Sequence, residues 1–153
     1  MSQEHKVELL IVDDNEGHTE LVRRNLRRNG INNTVTALSN GQAALDYVFC
    51  RGKYANRIRN DLLILLDINM PGGANGVEVL RQIKSDPERK SIPVIMLTTT
   101  DDPREVERCY ALGCNVYITK PVDPASFIEA IHKLGMFISI VRVPSEERRS
   151  HDD

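Results

Sequence analysis

Three carboxylates, one lysine and one hydroxyl carry the chemistry this sequence offers. Asp13 and Asp14 close the apolar run Val7–Val12, and Asp67 closes LLILL at 62–66. Thr98 follows IML, and Lys120 follows YIT and precedes Pro121. Burying an unpaired carboxylate is costly, so an aspartate at the end of the most apolar run asks for a partner. If Asp13, Asp14 and Asp67 meet, three anions repel one another and need a cation. Oxygen-only ligands on a rigid edge suit Mg2+, which demands octahedral geometry and keeps several waters. The backbone carbonyl of Asn69, two residues past Asp67, is placed to complete the protein ligands. A metal, an ammonium and a hydroxyl around one carboxylate form a place to hold a phosphoryl group. Asp67 is the central member and hence the nucleophile, with an aspartyl phosphate as its covalent product.

Such a convergence needs a scaffold that brings distant strand ends together. Val7–Val12 is short and apolar apart from Glu8, the pattern of a strand buried on both faces. Glu16–Asn29 reads as an amphipathic helix with Leu21, Val22 and Leu26 inward, ended by Gly30. Asn33–Leu38 is β-branched and edge-like. Asn40–Gly41 opens a helix that turns Ala44, Leu45, Val48 and Phe49 inside. Leu62–Leu66 is the third strand, and Gly76–Ser85 is helical, with Val77, Leu80, Ile83 and Lys84 at helical spacing. Pro93–Leu97 is the fourth strand, leading into Thr98. Asp102 caps the next helix, with Pro103 at its first position and Gly113 at its end. Asn115–Thr119 is the fifth strand, and Asp123–Pro124 starts the last helix.

Five strand-then-helix repeats predict an α/β fold, a doubly wound parallel sheet with helices on both faces. Right-handed crossovers leave few topologies, and the common order for five strands is 2-1-3-4-5. In such sheets ligands bind beyond the carboxyl ends of the strands, where the winding reverses. That reversal lies between the first and third strands, where Asp13, Asp14 and Asp67 sit. Thr98 and Lys120 end the fourth and fifth strands on the same rim.

The chain's bounds agree with one soluble globular domain of ordinary size. Its 153 residues fit one domain, 41% hydrophobic and 27% charged, with a formal net charge of −2. No basic surplus argues for nucleic acid or anionic lipid. The N-terminus is too polar for a secretory signal, and no apolar run approaches the ~20 residues of a membrane helix. Cys50, Cys109 and Cys114 lack metal-ligand spacing and read as reduced thiols, which together predict a cytoplasmic protein. The four histidines His5, His18, His132 and His151 do not cluster and read as surface or helix residues.

With Asp13–Asp14, Asp67 in LLDINMPG, Thr98 in IMLTTT and Lys120 in YITKP all in register, the sequence resembles a response-regulator receiver domain of two-component signalling. The resemblance covers roughly residues 6 to 135 and implies the flavodoxin-like receiver fold. It implies that Asp13 and Asp14 help bind Mg2+ and that Asp67 accepts phosphate from a phosphohistidine on a sensor histidine kinase. It implies further that Thr98 contacts the phosphoryl group, that Lys120 pairs with it, and that the bond before Pro121 is cis. Tyr117, three residues before Lys120, stands where the family often carries an aromatic switch. With Thr98 it would move the face formed by the fourth helix, fifth strand and fifth helix. Val116 and Ile118 are expected to face opposite to Tyr117. Kinases dock on the first helix in this family, where Arg23, Arg24, Arg27 and Arg28 otherwise read as a solvated face.

Several features depart from the usual pattern. The loop MPGGANG is one residue longer than usual and has Asn75 where Asp is common. The stretch 49–60, FCRGKYANRIRN, reads either as a solvated basic loop or as the RGKY-type insert of receivers that pair with phytochrome-type kinases, which also share LTTT. GMFISIVRV at 135–143 runs on as apolar helix or strand beyond residue 135. We therefore divide the chain into a receiver at 1–135 and an extension at 136–153. Met136, Phe137, Ile140 and Val141 need cover there, and a homodimer provides it. The expected protein is a phosphoacceptor rather than an enzyme with a separate substrate. Two alternatives stay in view. One is a degenerate receiver that only binds proteins. The other is a metal-dependent phosphohydrolase of the haloacid-dehalogenase type, whose second Asp would stand where this chain has Asn69, a residue unable to transfer protons. A flavodoxin-like cofactor carrier would place Asp13–Asp14–Asn15–Glu16 against a phosphate, which they repel.

Overall fold

A computed structural model describes residues 7–70, 74–121 and 123–142, with side chains of the last helix described as far as Lys133. The elements alternate as β1 (Glu8–Val12), α1 (Glu16–Arg28), β2 (Val35–Leu38), α2 (Gly41–Val48), β3 (Leu62–Leu66), α3 (Gly76–Ser85), β4 (Val94–Thr98), α4 (Pro103–Leu112), β5 (Val116–Thr119) and α5 (Pro124–Arg142). The five strands form one parallel sheet in the order β2-β1-β3-β4-β5, as the alternation predicts. Every residue of β1, β3 and β4 is buried, so these strands are covered on both faces.

Side-chain alternation sorts the core into two halves. Leu9, Ile11, Leu63, Leu65, Ile95 and Leu97 face α1 and α5. Leu10, Val12, Ile64, Leu66, Val94 and Met96 face α2, α3 and α4. Each fully buried aliphatic side chain contributes roughly 1.5–3 kcal/mol. A one-residue register slip exchanges the two sets, and this fixes how far Asp13 and Asp67 project past the sheet. Tyr117 packs on the α2–α4 side and Val116 and Ile118 on the other, as the period of two requires.

Helix starts follow the sequence signals. Asn15, Asn40, Asn75 and Asp102 each accept a hydrogen bond from a backbone N–H of the first turn. Asn75 is thus the N-cap of α3, a role in which Asn and Asp serve equally well. Gly76 follows it because a Cβ there would lie 2.1 Å from the carbonyl oxygen of Asp67. The backbone of α3 therefore presses directly against the peptide that carries the acidic rim.

One expected inward residue lies elsewhere, and a second, Phe49, is only partly buried where it packs against the core. Leu21 is 55% exposed; the buried stripe of α1 is Thr19, Val22, Asn25 and Leu26, and residue 21 sits about 100° around the helix from residue 22. Phe49 lies just past the end of α2 and is half-buried, between the guanidinium groups of Arg51 and Arg89 at 4.9 and 4.7 Å from its ring. The expected continuation of the last helix is present to Arg142. Met136, Phe137, Ile140 and Val141 fall outside the described side chains, and Pro71–Gly73 and residues 143–153 outside the described residues.

The 49–60 stretch is largely exposed, with Tyr54 and Arg57 half-buried against α2. It forms a 3-10 turn at Gly52–Tyr54, and the Tyr54 ring meets the Tyr47 ring edge-on at 5.0 Å. Arg57 stacks 4.2 Å from the Tyr47 ring centre, and its Nε donates to the Tyr47 carbonyl at 2.8 Å. These contacts enclose Glu8, the only charge on β1 and 5% exposed. Thr36 Oγ1 and Tyr47 Oη donate to Glu8 Oε2, each at 2.5 Å, and Asn60 Nδ2 donates to Oε1 at 2.7 Å. Burial alone would raise the Glu8 pKa, but the three hydrogen bonds and the Arg57 charge together hold it below the ordinary carboxylate value. A carboxyl with a depressed native pKa stabilises the fold above its unfolded pKa, and that contribution fades as pH falls through the native value. Glu8→Gln is therefore expected to lose about 1.5–3 kcal/mol at neutral pH, the usual worth of hydrogen bonds to a charged group. The gap to wild type should close in acid below pH 4.5, and urea unfolding across that range measures it.

Candidate functional site

The acidic rim is built by the register of the sheet. Val12 pairs with Leu66, so the next residues, Asp13 and Asp67, emerge side by side from β1 and β3. Oxygens of Asp13, Asp14 and Asp67 all lie within 4.8 Å of one another. Asp13 and Asp67 are buried, whereas Asp14 is exposed. A donor set made only of carboxylate oxygens on a strand edge fits a hard divalent cation.

Lys120 joins this group from the end of β5. Its Nζ donates to Asp13 Oδ2 at 2.7 Å and to Asp67 Oδ2 at 3.2 Å. The lysine side chain is only 7% exposed, so the attraction acts away from bulk water and is stronger than in a surface pair. Lys120 is anchored by its own backbone N–H, which donates to the Thr98 carbonyl at 2.8 Å. The peptide bond to Pro121 is cis.

Other oxygens of the rim are held by backbone. Asp13 Oδ1 accepts from Asn15 N at 2.9 Å, and Asp67 Oδ1 from Asn69 N at 3.2 Å. The Asn69 peptide thus lies against the Asp67 carboxylate. Thr98 is fully buried, and its hydroxyl accepts from Thr100 N at 3.4 Å.

From the acidic rim a chain of hydrogen bonds leads to Tyr117. Asn69 Nδ2 donates to Thr100 Oγ1 at 3.1 Å, and Tyr117 Oη donates to the Thr100 carbonyl at 2.6 Å. Tyr117 N donates to Tyr110 Oη on α4 at 3.0 Å. Burial, with Cys109 and Glu105 nearby, pushes the Tyr117 phenol up to about 12, so it stays protonated and serves Thr100 as a donor. Spacing alone did not single out Thr100, because its partner Asn69 is far away in sequence.

Two further neighbours of the site were not legible as such. His18, read from the sequence as an ordinary surface or helix histidine, sits in the first turn of α1 with Nδ1 2.8 Å from Lys120 Nζ. Lys53 and Tyr54 of the 49–60 insert line a cleft of about 620 Å³, together with Asp13, Glu16, Thr19 and Asn40. The insert and Asp13 thus line one cleft. Cys50, Cys109 and Cys114 are free thiols. Among the described residues, no helix is long and apolar enough to cross a membrane.

Known proteins share this arrangement of the chain. The response regulator receiver domain family matches residues 9–132. Response regulator Rcp1 of Synechocystis sp. is 38% identical over 90% of this chain and 92% of its own length. The phosphorylated cyanobacterial phytochrome response regulator RcpA superposes with a TM-score of 0.73 at 34% identity, over 86% of this chain and 93% of that one. The Mn2+-bound form of Rcp1 superposes with a TM-score of 0.71 at 34% identity, over 88% of this chain and 92% of that one.

Proposed function

Because the chain belongs to the response regulator receiver domain family, we propose that it relays a signal by accepting a phosphoryl group on Asp67 from a sensor histidine kinase. The observation that carries this reading is the meeting of Asp13, Asp14 and Asp67, with Lys120 bonded to two of them. In the transfer, an Asp67 oxygen attacks phosphorus as the P–N bond of the donor phosphohistidine breaks. The electron pair of that bond stays on the imidazole. Lys120 balances charge that develops on the phosphoryl oxygens, and the Thr98 hydroxyl donates to one of them. Asp13, Asp14, Asp67 and the Asn69 carbonyl would hold Mg2+, which would supply positive charge to neutralise the phosphoryl group. Kinship with RcpA and with the Mn2+-bound Rcp1 supports both the phosphoryl and the metal assignments. It also favours a kinase of the phytochrome type.

The new phosphoryl group brings about −1.5 to −2 charges and three acceptor oxygens. Thr98 turns toward it and gives up the Thr100 N–H. Thr100 also holds Tyr117 and Asn69, so the loop before α4 and the Tyr117 ring move together. The altered face is α4–β5–α5, which a protein partner reads. Residues 136–153 pair two copies of the chain. Sedimentation of the full chain at micromolar concentration should give a dimer that is lost when those residues are removed.

The direct test is incubation with acetyl phosphate, followed by intact mass. One phosphoryl group should be gained with Mg2+ present and none with excess EDTA. Uptake that ignores EDTA, or no uptake with Mg2+, would overturn the assignment.

A further inference from the structure

An ammonium group has three N–H donors and no acceptor. Lys120 spends all three. Two go to Asp13 Oδ2 and Asp67 Oδ2, and the third contact, at 2.8 Å, is His18 Nδ1. A donor-only group at that distance requires a lone pair on Nδ1. With its proton on Nε2, His18 accepts the third N–H of the ammonium through Nδ1. The alternative pairing, imidazolium with Asp13, is weaker on geometry: Nδ1 to Asp13 Oδ2 is 3.8 Å, beyond hydrogen-bond range. Local structure fixes the backbone from which the imidazole extends, since His18 N donates to the Asn15 cap at 3.1 Å and Asn15 N is tied to Asp13. The start of α1 and the end of β5 are thus joined through one histidine–lysine hydrogen bond.

The three tethers of Lys120 differ in what the reaction does to them. Asp67 spends its charge on the new bond to phosphorus, and Asp13 faces the cation site. His18 alone takes no part in either event. We propose that His18 is a positioning residue for phosphoryl transfer: its Nδ1 lone pair holds the Lys120 ammonium at the rim while the carboxylate partners change. The proposal rests on Asp67 being the acceptor. Without the tether the long lysine side chain gains freedom and is less often aimed at the acceptor oxygen.

The test compares His18→Leu and His18→Asn with wild type, using acetyl phosphate and Mg2+. Asn presents Oδ1 close to the place of Nδ1, whereas Leu offers no acceptor. His18→Leu should slow phosphoryl uptake about tenfold or more, the lower end of what a hydrogen bond to a charged group is worth. His18→Asn should recover most of that rate, while thermal unfolding of the two variants stays alike. A second readout needs no variant of His18. Nitrogen-15 spectra of the unphosphorylated protein should show Nδ1 bare and Nε2 protonated, and Lys120→Met should mix the two tautomers. Equal rates for all three proteins, or a protonated Nδ1 in wild type, would overturn the proposal. Failure of wild type itself to take up phosphate would instead strike the assignment of Asp67.

Discussion

Asp67→Asn is expected to take up no phosphoryl group from acetyl phosphate at any Mg2+ concentration, while keeping its fold. The carboxamide oxygen is a far weaker nucleophile than a carboxylate, and covalent capture needs an activated one. Its carbonyl can still accept from Asn69 N, the bond that Asp67 Oδ1 makes at 3.2 Å. The same substitution removes one of three crowded anions, which offsets the loss of the Lys120 contact to Asp67 Oδ2. The two effects oppose, so the stability change should stay within about 1 kcal/mol, small beside typical buried-site substitutions. Intact mass and a urea titration on the same sample read both quantities. Labelling that persists would have to lie on another side chain. Asp14, the exposed carboxylate of the same cluster, is the first to examine.

Much of this site was readable before any coordinates because the strands are simple. LLILL has no polar residue to blur its end, so Asp67 marks the edge of the sheet. Val7–Val12 ends as cleanly at Asp13. Parallel pairing then converts matched strand ends into one cluster. Helix boundaries were legible for a similar reason: Asn40, Asp102, Pro103 and Gly113 act through local backbone bonds. What the sequence concealed depends on rotation about a helix or on long loops. Leu21 is apolar yet lies off the buried stripe of α1. His18 reaches Lys120 only because the helix starts where Asn15 caps it, and the two residues stand 102 positions apart. Glu8 looked like a flaw in an apolar strand. Its partners Thr36, Tyr47 and Asn60 come from three other segments, so no spacing announces them. The 49–60 insert hid its role for the same reason, since its aromatic and arginine residues make sense only against Tyr47.

Lys120→Met should reveal how far the rim depends on one buried ammonium. Met matches the length of the lysine stem and packs among the same neighbours, so the change isolates the charge. In wild type the ammonium is bonded to Asp13 and Asp67, whose side chains are 5% and 10% exposed. Removing one partner of a buried pair leaves an uncompensated charge and typically costs about 3–5 kcal/mol. Here two carboxylates lose their partner at once, with Asp14 also close. In EDTA the variant should therefore unfold at clearly lower urea, by about 3 kcal/mol or more. A divalent cation held by the native rim and not by the unfolded chain would stabilise by mass action. With no ammonium competing for Asp13 Oδ2, added Mg2+ should raise the stability of the variant more than that of wild type. Phosphoryl uptake responds differently, because Mg2+ does not replace a donor aimed at the acceptor oxygen. The rate should stay about 100-fold or more below wild type even at saturating Mg2+, as for loss of one preorganised donor elsewhere. Urea unfolding with and without Mg2+, beside the rate of mass gain, separates the two roles. Equal Mg2+ increments in both proteins would mean that Lys120 does not balance the charge of the rim. A wild-type rate in the variant would mean that it does not serve the transfer.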